Sequence, residues 1–416
     1  MPARNMQPGN MVVTRLSERQ VLPMANDHTG EESPLLGVGI VGWGWMGQVH
    51  ARAYARLRQH YPKAPLRPTL VAVADNAADD RLSGAIDTFS FRDAHADWHE
   101  LVARDDIDVV SVTGPNFIHR EVAVAAAEAG KHVWVEKPAG RNAAETREIC
   151  DAVRVNGVQS AAGFNYRNVP AIEMARQLIV DGRLGRINHV YIRLLADYAA
   201  HPDGALTWRF RTEWSGSGVL GDLASHGVDL GRYLVGDITD LMCDAATFIT
   251  QRPQVTMTAS HFSRGVGGPM GAVENEDYIA ALLRFDRGAL GVLESSRASI
   301  GEQCTYGIDV HGARGALSWD FRRMGELQLC LDQDYQNAYF STHHVAPGDG
   351  DFARFQPAAG IAMSYDDLKV VEAYRLVQSI ATGKAHGATA EDALYAAEII
   401  EAMAESAQSR RWVTFT

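Results

Sequence analysis

Leu35-Leu36-Gly37-Val38-Gly39-Ile40-Val41-Gly42-Trp43-Gly44-Trp45-Met46-Gly47-Gln48 is the stretch on which the fold turns. Two overlapping parts of it fit Gly-x-Gly-x-x-Gly, residues 37–42 and residues 42–47. Context separates them. The first lies inside the apolar run Leu36–Val41, where its last glycine has no helix to open. The second begins where that run ends and leads into Met46–His60, which reads as a helix. There Gly42 permits a tight turn, Gly44 lets backbone approach a pyrophosphate, and Gly47 lets helix and strand pack closely, with phosphate at the helix N-terminus. Gly42, Gly44, Trp45, Met46 and Gly47 are the expected contacts; a plain glycine turn is the alternative.

Working outward, short apolar runs alternate with helical stretches. Thr69–Ala74 and Asp108–Val112 read as strands, Ile118–Ala129 as a helix stopped by Gly130, and Lys131–Val135 as another strand. Asn142 with Glu145 three residues on predicts a capping box. This alternation implies parallel strands with right-handed crossovers, an α/β doubly wound Rossmann sheet over residues 35–157. Asp75 follows the second strand, where a carboxylate accepts both ribose hydroxyls and repels a 2′-phosphate, so NAD is expected over NADP. It stands 33 residues after Gly42, a spacing that the long first helix and the Tyr61–Pro68 loop explain.

Past residue 158 the pattern changes. Ile187–Tyr198 and Leu241–Thr250 read as longer strands. Tyr278–Arg284 with Leu290–Ser296, and Tyr306–His311 with Ala316–Trp319, flank turns too short for anything but antiparallel neighbours. Helices over Tyr365–Thr382 and Ala390–Ser409 close the chain, and residues 263–275 read as a glycine-rich surface loop or lid. Residues 158–416 are therefore expected to form an α+β domain with a large, mostly antiparallel sheet for substrate binding and oligomerisation.

Bulk properties narrow the function classes. A net charge of −12 argues against nucleic acid or membrane surfaces as partners. The first 34 residues lack the apolar core of a secretory signal and read as a mobile extension. Cys150, Cys243, Cys304 and Cys330 lie far apart with no Cys/His cluster, so neither a disulfide framework nor a metal site is expected, and the cytoplasm is the expected compartment.

Two segments carry chemistry. Glu136-Lys137-Pro138 ends the fifth strand, at the carboxyl edge where open α/β sheets bind ligands. Asp222, His226 and Asp229 in Gly221-Asp222-Leu223-Ala224-Ser225-His226-Gly227-Val228-Asp229 stand at i, i+4 and i+7, one stripe of a helix on which two carboxylates would tune an acid/base histidine. Each alone has a bland reading: an exposed lysine, an N-cap, a core histidine.

Together with the glycine turn and Asp75, the stretches VVSVTGPNFIHREV, AGKHVWVEKPAG, GFNYR, GSGVLGDLASHGVDL and ATAEDALYAAEIIEAMAESAQSRRWV resemble, in order, the glucose–fructose oxidoreductase / inositol dehydrogenase / rhizopine catabolism (Gfo/Idh/MocA) family. Gly114 departs from it, standing where threonine or serine is commoner. The resemblance implies Lys137, Asp222 and His226 as the catalytic set, with Lys137 or His226 as the formal base. It implies Asn116, His119 and Glu136 beside the cofactor's ribose and nicotinamide, and Tyr166, Arg167, Tyr198, Trp208, Arg209 and Asp229 around substrate.

The expected activity is NAD-dependent oxidation of a ring secondary alcohol on a sugar, glycoside, aminosugar or cyclitol. No cysteine stands where an aldehyde dehydrogenase needs its thiolate, and the segments lining the cleft are too polar for a steroid. A lyase or glycosidase using transient oxidation, and a non-catalytic NAD sensor, are the alternatives. A sheet with helices on one side leaves its other face needing cover, which predicts a homo-oligomer, dimer or tetramer, through apolar residues of Ile187–Leu195 and Leu290–Ser296.

Overall fold

The computed structural model describes residues 33–76, 80–255, 263–265, 268–332 and 334–415. All but two residues of the N-terminal extension lie outside them. Residues 33–415 form one compact unit built on two sheets.

The first sheet has the order β3-β2-β1-β4-β5-β6, all parallel. Its strands are β1 (Leu35–Val41), β2 (Arg67–Ala74), β3 (Asp93–His95), β4 (Val109–Val112), β5 (His132–Val135) and β6 (Ser160–Ala162). The helices between them are α1 (Trp45–His60), α2 (Asp80–Phe89), α3 (Trp98–Val102), α4 (Asn116–Glu128) and α5 (Ala143–Val155). The order reverses between β1 and β4, which opens a crevice at their carboxyl ends. Asn142 caps α5 by accepting from the Glu145 N–H, but Glu145 returns its bond to the Arg141 N–H and its guanidinium, so the expected box closes one residue early.

The second sheet runs β16-β15-β14-β13-β7-β12-β11-β8-β17. These are β7 (Ile187–Leu195), β8 (Ile238–Ala246), β11 (Tyr278–Phe285), β12 (Leu290–Ser296), β13 (Thr305–Gly312), β14 (Gly315–Asp320), β15 (Glu326–Leu331), β16 (Ser341–His344) and β17 (Val413–Thr414). Only β7 with β12 is parallel. A separate ribbon pairs β9 (Gln251–Pro253) with β10 (Met270–Ala272), so part of the expected loop 263–275 is a strand of a small hairpin. Alternation of buried Val190, Ile192 and Leu194 with outward His189, Tyr191 and Arg193 sets one face of β7 against helices. The helices of this half are α6 (Pro170–Val180), α7 (Thr212–Ser215), α8 (Ser225–Leu234), α9 (Tyr365–Thr382) and α10 (Ala390–Ser409).

The parallel sheet extends past residue 157 to Ala162 and takes a helix from far beyond it. Val370, Ala373, Leu376 and Val377 of α9 enter the same apolar cluster as Val38, Ile40 and Trp134. The chain thus crosses back, and the cleft between the sheets is closed by contacts from both.

Buried charge fixes the cleft wall. Arg297, 1% exposed, donates to Asp277 Oδ1 at 2.8 Å and Asn275 Oδ1 at 2.7 Å, and its guanidinium lies 4.6 Å from the Phe210 ring. Arg252 covers the same ring at 4.2 Å. Asp277 also accepts from the Phe248 and Ile249 N–H groups. Removing one partner of such a pair leaves a buried charge uncompensated. Asp277→Ala is therefore expected to lower unfolding free energy by about 3–5 kcal/mol in urea titrations; a loss below about 1 kcal/mol would show the pair to be solvated.

Candidate active site

The glycine turn sits at the crevice. Gly42 has φ of +95°, and a Cβ there would meet Gly114 N at 2.4 Å; one on Gly47 would meet Gly42 O at 2.2 Å. Both glycines are closed upon by protein. An added Cβ on Gly44 would meet nothing, so the turn presents open backbone to a ligand together with the unpaired first N–H groups of α1. These residues fit a dinucleotide pyrophosphate. Asp75 Oδ2 accepts from the Trp43 N–H at 2.6 Å, which ties the carboxylate at the end of β2 to the turn. Trp45 is exposed, 5.4 Å from the Tyr365 ring, and Met46 Sδ faces the Tyr365 hydroxyl. At Gly114 a Cβ would meet Ile118 Cδ1 at 2.4 Å, a packing reason for glycine there instead of a hydroxyl residue.

Lys137 reaches Asp222 twice, at the backbone carbonyl (2.5 Å) and at Oδ1 (3.0 Å). Tyr198 donates its hydroxyl to Asp222 Oδ2 at 2.5 Å. What brings Asp222 here is Gly216, whose φ is +84° and whose missing Cβ makes room for the Arg141 carbonyl. The Gly218 and Leu220 N–H groups are held by Glu276 Oε1 at 2.8 and 2.9 Å. Burial opposes ionisation of Asp222, but Lys137, Arg209 and the Tyr198 hydroxyl outweigh it and hold the carboxyl well below its usual range. Burial, with Asp222 adding to it, keeps Tyr198 protonated and donating.

His226 lies at the start of α8, buried, its ring 4.6 Å from Tyr166 and 5.9 Å from Phe164. Burial first, then Lys137, lowers its pKa well below the ordinary imidazole value, so it is neutral and able to accept a proton. Among the described residues its ring nitrogens have no hydrogen-bond partner.

The expected single stripe of Asp222, His226 and Asp229 does not form. Asp222 lies in the π-helical turn Leu220–Ala224 that leads into α8 and pairs with Lys137, whose charge also acts on His226, so these two share a side and Asp229 departs from it. Asp229 instead receives Arg167 Nε at 2.8 Å, and Arg167 also pairs with Asp392 of α10 at 3.1 Å. With Asp229 3% exposed, these two brace the interior and do not line the cleft. Burial raises the Asp229 carboxyl to about 6 against the pull of Arg167. Tyr166, 5% exposed, packs beside His226, with Phe321 at 5.1 Å on its other side.

Two expected cofactor contacts are also internal braces. His119 is 1% exposed, and its ring nitrogens lie 2.8 Å from the carbonyls of Pro138 and Gly114, joining the Lys137 loop to the β4 loop. The Glu136 carboxylate is enclosed by Lys369 and His50. Asn116 does face the cleft, donating to the Ser215 carbonyl at 2.9 Å. Beside it Trp208, Arg209, Ser215, Ser217 and Asp222 line a small cleft. Arg209 lies 4.3 Å from the Trp208 ring and makes no ion pair with a carboxylate among the described residues. Ser215 and Ser217 escaped the sequence reading because their only signal is proximity to the glycine run, and Arg297 because it follows a distant strand with no motif around it.

Comparison with known proteins follows the same lines. The family description "Oxidoreductase family, NAD-binding Rossmann fold" matches residues 36–164, and "Oxidoreductase family, C-terminal alpha/beta domain" matches residues 176–415. The levoglucosan dehydrogenase of Pseudarthrobacter phenanthrenivorans is 34% identical over 381 residues, covering 91% of this chain and 97% of that one. The myo-inositol 2-dehydrogenase of Thermotoga maritima is 25% identical over 301 residues, 71% of this chain and 78% of that one. A solved structure of a levoglucosan dehydrogenase with NADH and levoglucosan superposes with a TM-score of 0.85 at 32% identity, over 91% of this chain and 99% of that one.

Asp75, anchored beside the turn, is the residue on which the expected preference for NAD rests. The wild type is expected to favour NAD over NADP by about a hundredfold or more in kcat/KM, and Asp75→Ala to narrow the gap by about tenfold. Steady-state kinetics with both cofactors check this, and equal efficiency in the wild type would refute it.

Proposed function

The chain belongs to the Gfo/Idh/MocA family of oxidoreductases, and we propose that it oxidises a ring secondary alcohol of a sugar, anhydrosugar, glycoside or cyclitol to the ketone. NAD is the cofactor; when bound it supplies the hydride acceptor. The observation that carries the reading is the Lys137–Asp222 contact at the carboxyl edge of the parallel sheet, with a neutral histidine nearby. The relatives, a levoglucosan dehydrogenase and a myo-inositol 2-dehydrogenase, support the substrate class.

Each group has a role that its surroundings favour. Lys137 spends two of its three N–H donors on Asp222, which leaves one for the carbinol oxygen, where it stabilises developing alkoxide charge. Asp222, fixed by Tyr198, keeps the ammonium in register. His226 takes the hydroxyl proton, since burial holds its ring neutral. Asn116, Trp208, Arg209 and Ser217 meet the ring: an aromatic face for its C–H groups and polar atoms for its hydroxyls. Several hydroxyls held together fix which carbon faces the acceptor.

The expected result is NADH formation from cyclic polyols, anhydrosugars or glycosides, with little from lactate, malate or simple aldehydes. Lys137→Ala and His226→Ala should each lose most turnover, roughly a hundredfold or more, while still binding NAD by calorimetry. Turnover of an acyclic hydroxy acid with none on any cyclic polyol would overturn the reading. Consumption of glycoside without net NADH would point to the lyase alternative.

The open face of the large sheet suggests assembly into a homo-oligomer, a dimer or tetramer. Leu282, Leu290 and Val292 are 50%, 57% and 38% exposed on the face opposite α8. β7 adds less apolar surface than its sequence promised, since His189, Tyr191 and Arg193 point outward there and Arg193 pairs with Asp309. Four free cysteines, Cys304 among them exposed, suit a reducing compartment such as the cytoplasm, and no helix of the described residues is long and apolar enough to cross a membrane. Light scattering at micromolar concentration should give at least a dimer, which Leu290→Arg weakens; a monomeric wild type would refute it.

A further inference from the structure

Lys369 lies in the interior, on the helix that crosses back to the parallel sheet. Its side chain is fully buried, and three elements converge on the ammonium. Glu136, from the end of β5, pairs with it directly. Glu372, one turn along α9, brings Oε2 to 2.7 Å. Trp134 of β5 presents its ring 5.4 Å away. From α1, His50 Nε2 adds a contact to Glu136 Oε1 at 3.0 Å and stacks on Trp134 at 3.7 Å. On the remaining side a Cβ at Gly163 would sit 2.5 Å from Glu136 Oε2, so glycine is required there for the carboxylate to fit.

A lysine is costly to desolvate, and packing alone does not call for one at this position. Its neighbours on α9, Val370 and Ala373, fill the same interface as apolar side chains. What distinguishes position 369 is its contact with Glu136, which is one peptide bond from Lys137.

We propose that Lys369 is a positioning residue of the catalytic apparatus, which through Glu136 fixes the strand end carrying Lys137 and whose charge forms part of the field at His226. Its link to turnover rests on the dehydrogenase reading; its action on His226 does not.

The signs follow from the groups that face each other. Burial opposes ionisation of both Glu136 and Lys369, yet each holds the other charged, Glu136 well below its usual range and Lys369 above. Glu372 is driven above the carboxylate range by burial, with Lys369 pulling against this and Glu136 and Asp229 adding to it. Around His226, burial, Lys137 and Lys369 disfavour the cation, while Glu136 and Asp222 favour it. Removing Lys369's charge with Glu136 ionised therefore raises the His226 titration; removing Glu136's charge lowers it. Because the base must be neutral, the acid limb of kcat/KM follows: toward higher pH in Lys369→Met while Glu136 stays ionised, toward lower pH in Glu136→Gln.

The test uses the full chain with labelled histidine, His226 being assigned by the signal lost in His226→Asn. In Glu136→Gln the His226 titration should move down; in Lys369→Met it should move up while Glu136 stays ionised and down once Glu136 takes up a proton. In Lys369→Met, kcat should fall about tenfold or more while the Kd for NAD stays within about threefold, since small displacements at the reacting centre are costly to rate and not to binding. If Lys369→Met does not fold, the double variant Lys369→Met/Glu136→Gln removes both charges of the pair, and Glu372, already driven up to about 7 and no longer held down by Lys369, takes up a proton. The double variant should bind NAD, lose kcat by the same factor, and show a smaller downward titration shift than Glu136→Gln alone. A folded variant with kcat within about twofold of wild type, or a His226 titration unmoved in both single variants, would overturn the proposal. A wild type that oxidises no cyclic alcohol would sink the dehydrogenase reading, and the titration would still decide the role of Lys369 at His226.

Discussion

The contact between Lys137 and Asp222 is the constraint on which the rest of the molecule depends. Lys137 ends a strand of the parallel sheet, whereas Asp222 lies in a π-helical turn of the second half, 85 residues later. Neither half contains a site alone. For the two to meet, the glycine run must press its backbone on Arg141 of the first half and hang from Glu276 of the second. Rigid anchoring of this kind is what hydride transfer requires, because reacting atoms must be held near contact distance in a defined direction.

The electrostatics follow from that meeting. In water, a lysine and a histidine close together would each be free to change charge. Here burial and the Lys137 charge keep His226 neutral, and Asp222 is kept ionised by Lys137 despite its own burial. One cation, one anion and one neutral base thus coexist within a small volume, each in the state its role needs. The division is made by the environment, since the residue types alone would permit several others.

Much of this was legible in the sequence where the physics is local. The turn at Gly42–Gly47, the strand at its head, Asp75 at the end of the next strand, and the limits of α9 and α10 all follow from periodicity, caps and glycine placement. What could not be read is what depends on distant partners. The spacing of Asp222, His226 and Asp229 suggests one shared task, yet Asp222 meets Lys137 and Asp229 meets Arg167, partners that come from distant segments and leave no mark in the spacing. Glu136 and His119 are expected beside the cofactor only because the family resemblance implies it. Their ligands, Lys369 and the Pro138 and Gly114 carbonyls, are set by tertiary folding.

The same comparison explains why polar residues near the site divide into two kinds. Glu136, His119, Asp229 and Arg297 are nearly sealed from solvent and Arg167 is mostly covered, and each is met by protein groups. A buried charge is tolerable only when so paired, and once paired it has little left to offer a ligand. Arg209 and Trp208 are half-buried at the cleft; the Arg209 guanidinium lies over the indole ring and acts on Asp222 through its charge, with no ion pair to a carboxylate among the described residues. Recognition of substrate must come from groups of this second kind, whose hydrogen bonds are still to be made. Sequence proximity to a catalytic motif cannot separate the two; the state of each side chain's hydrogen bonds can.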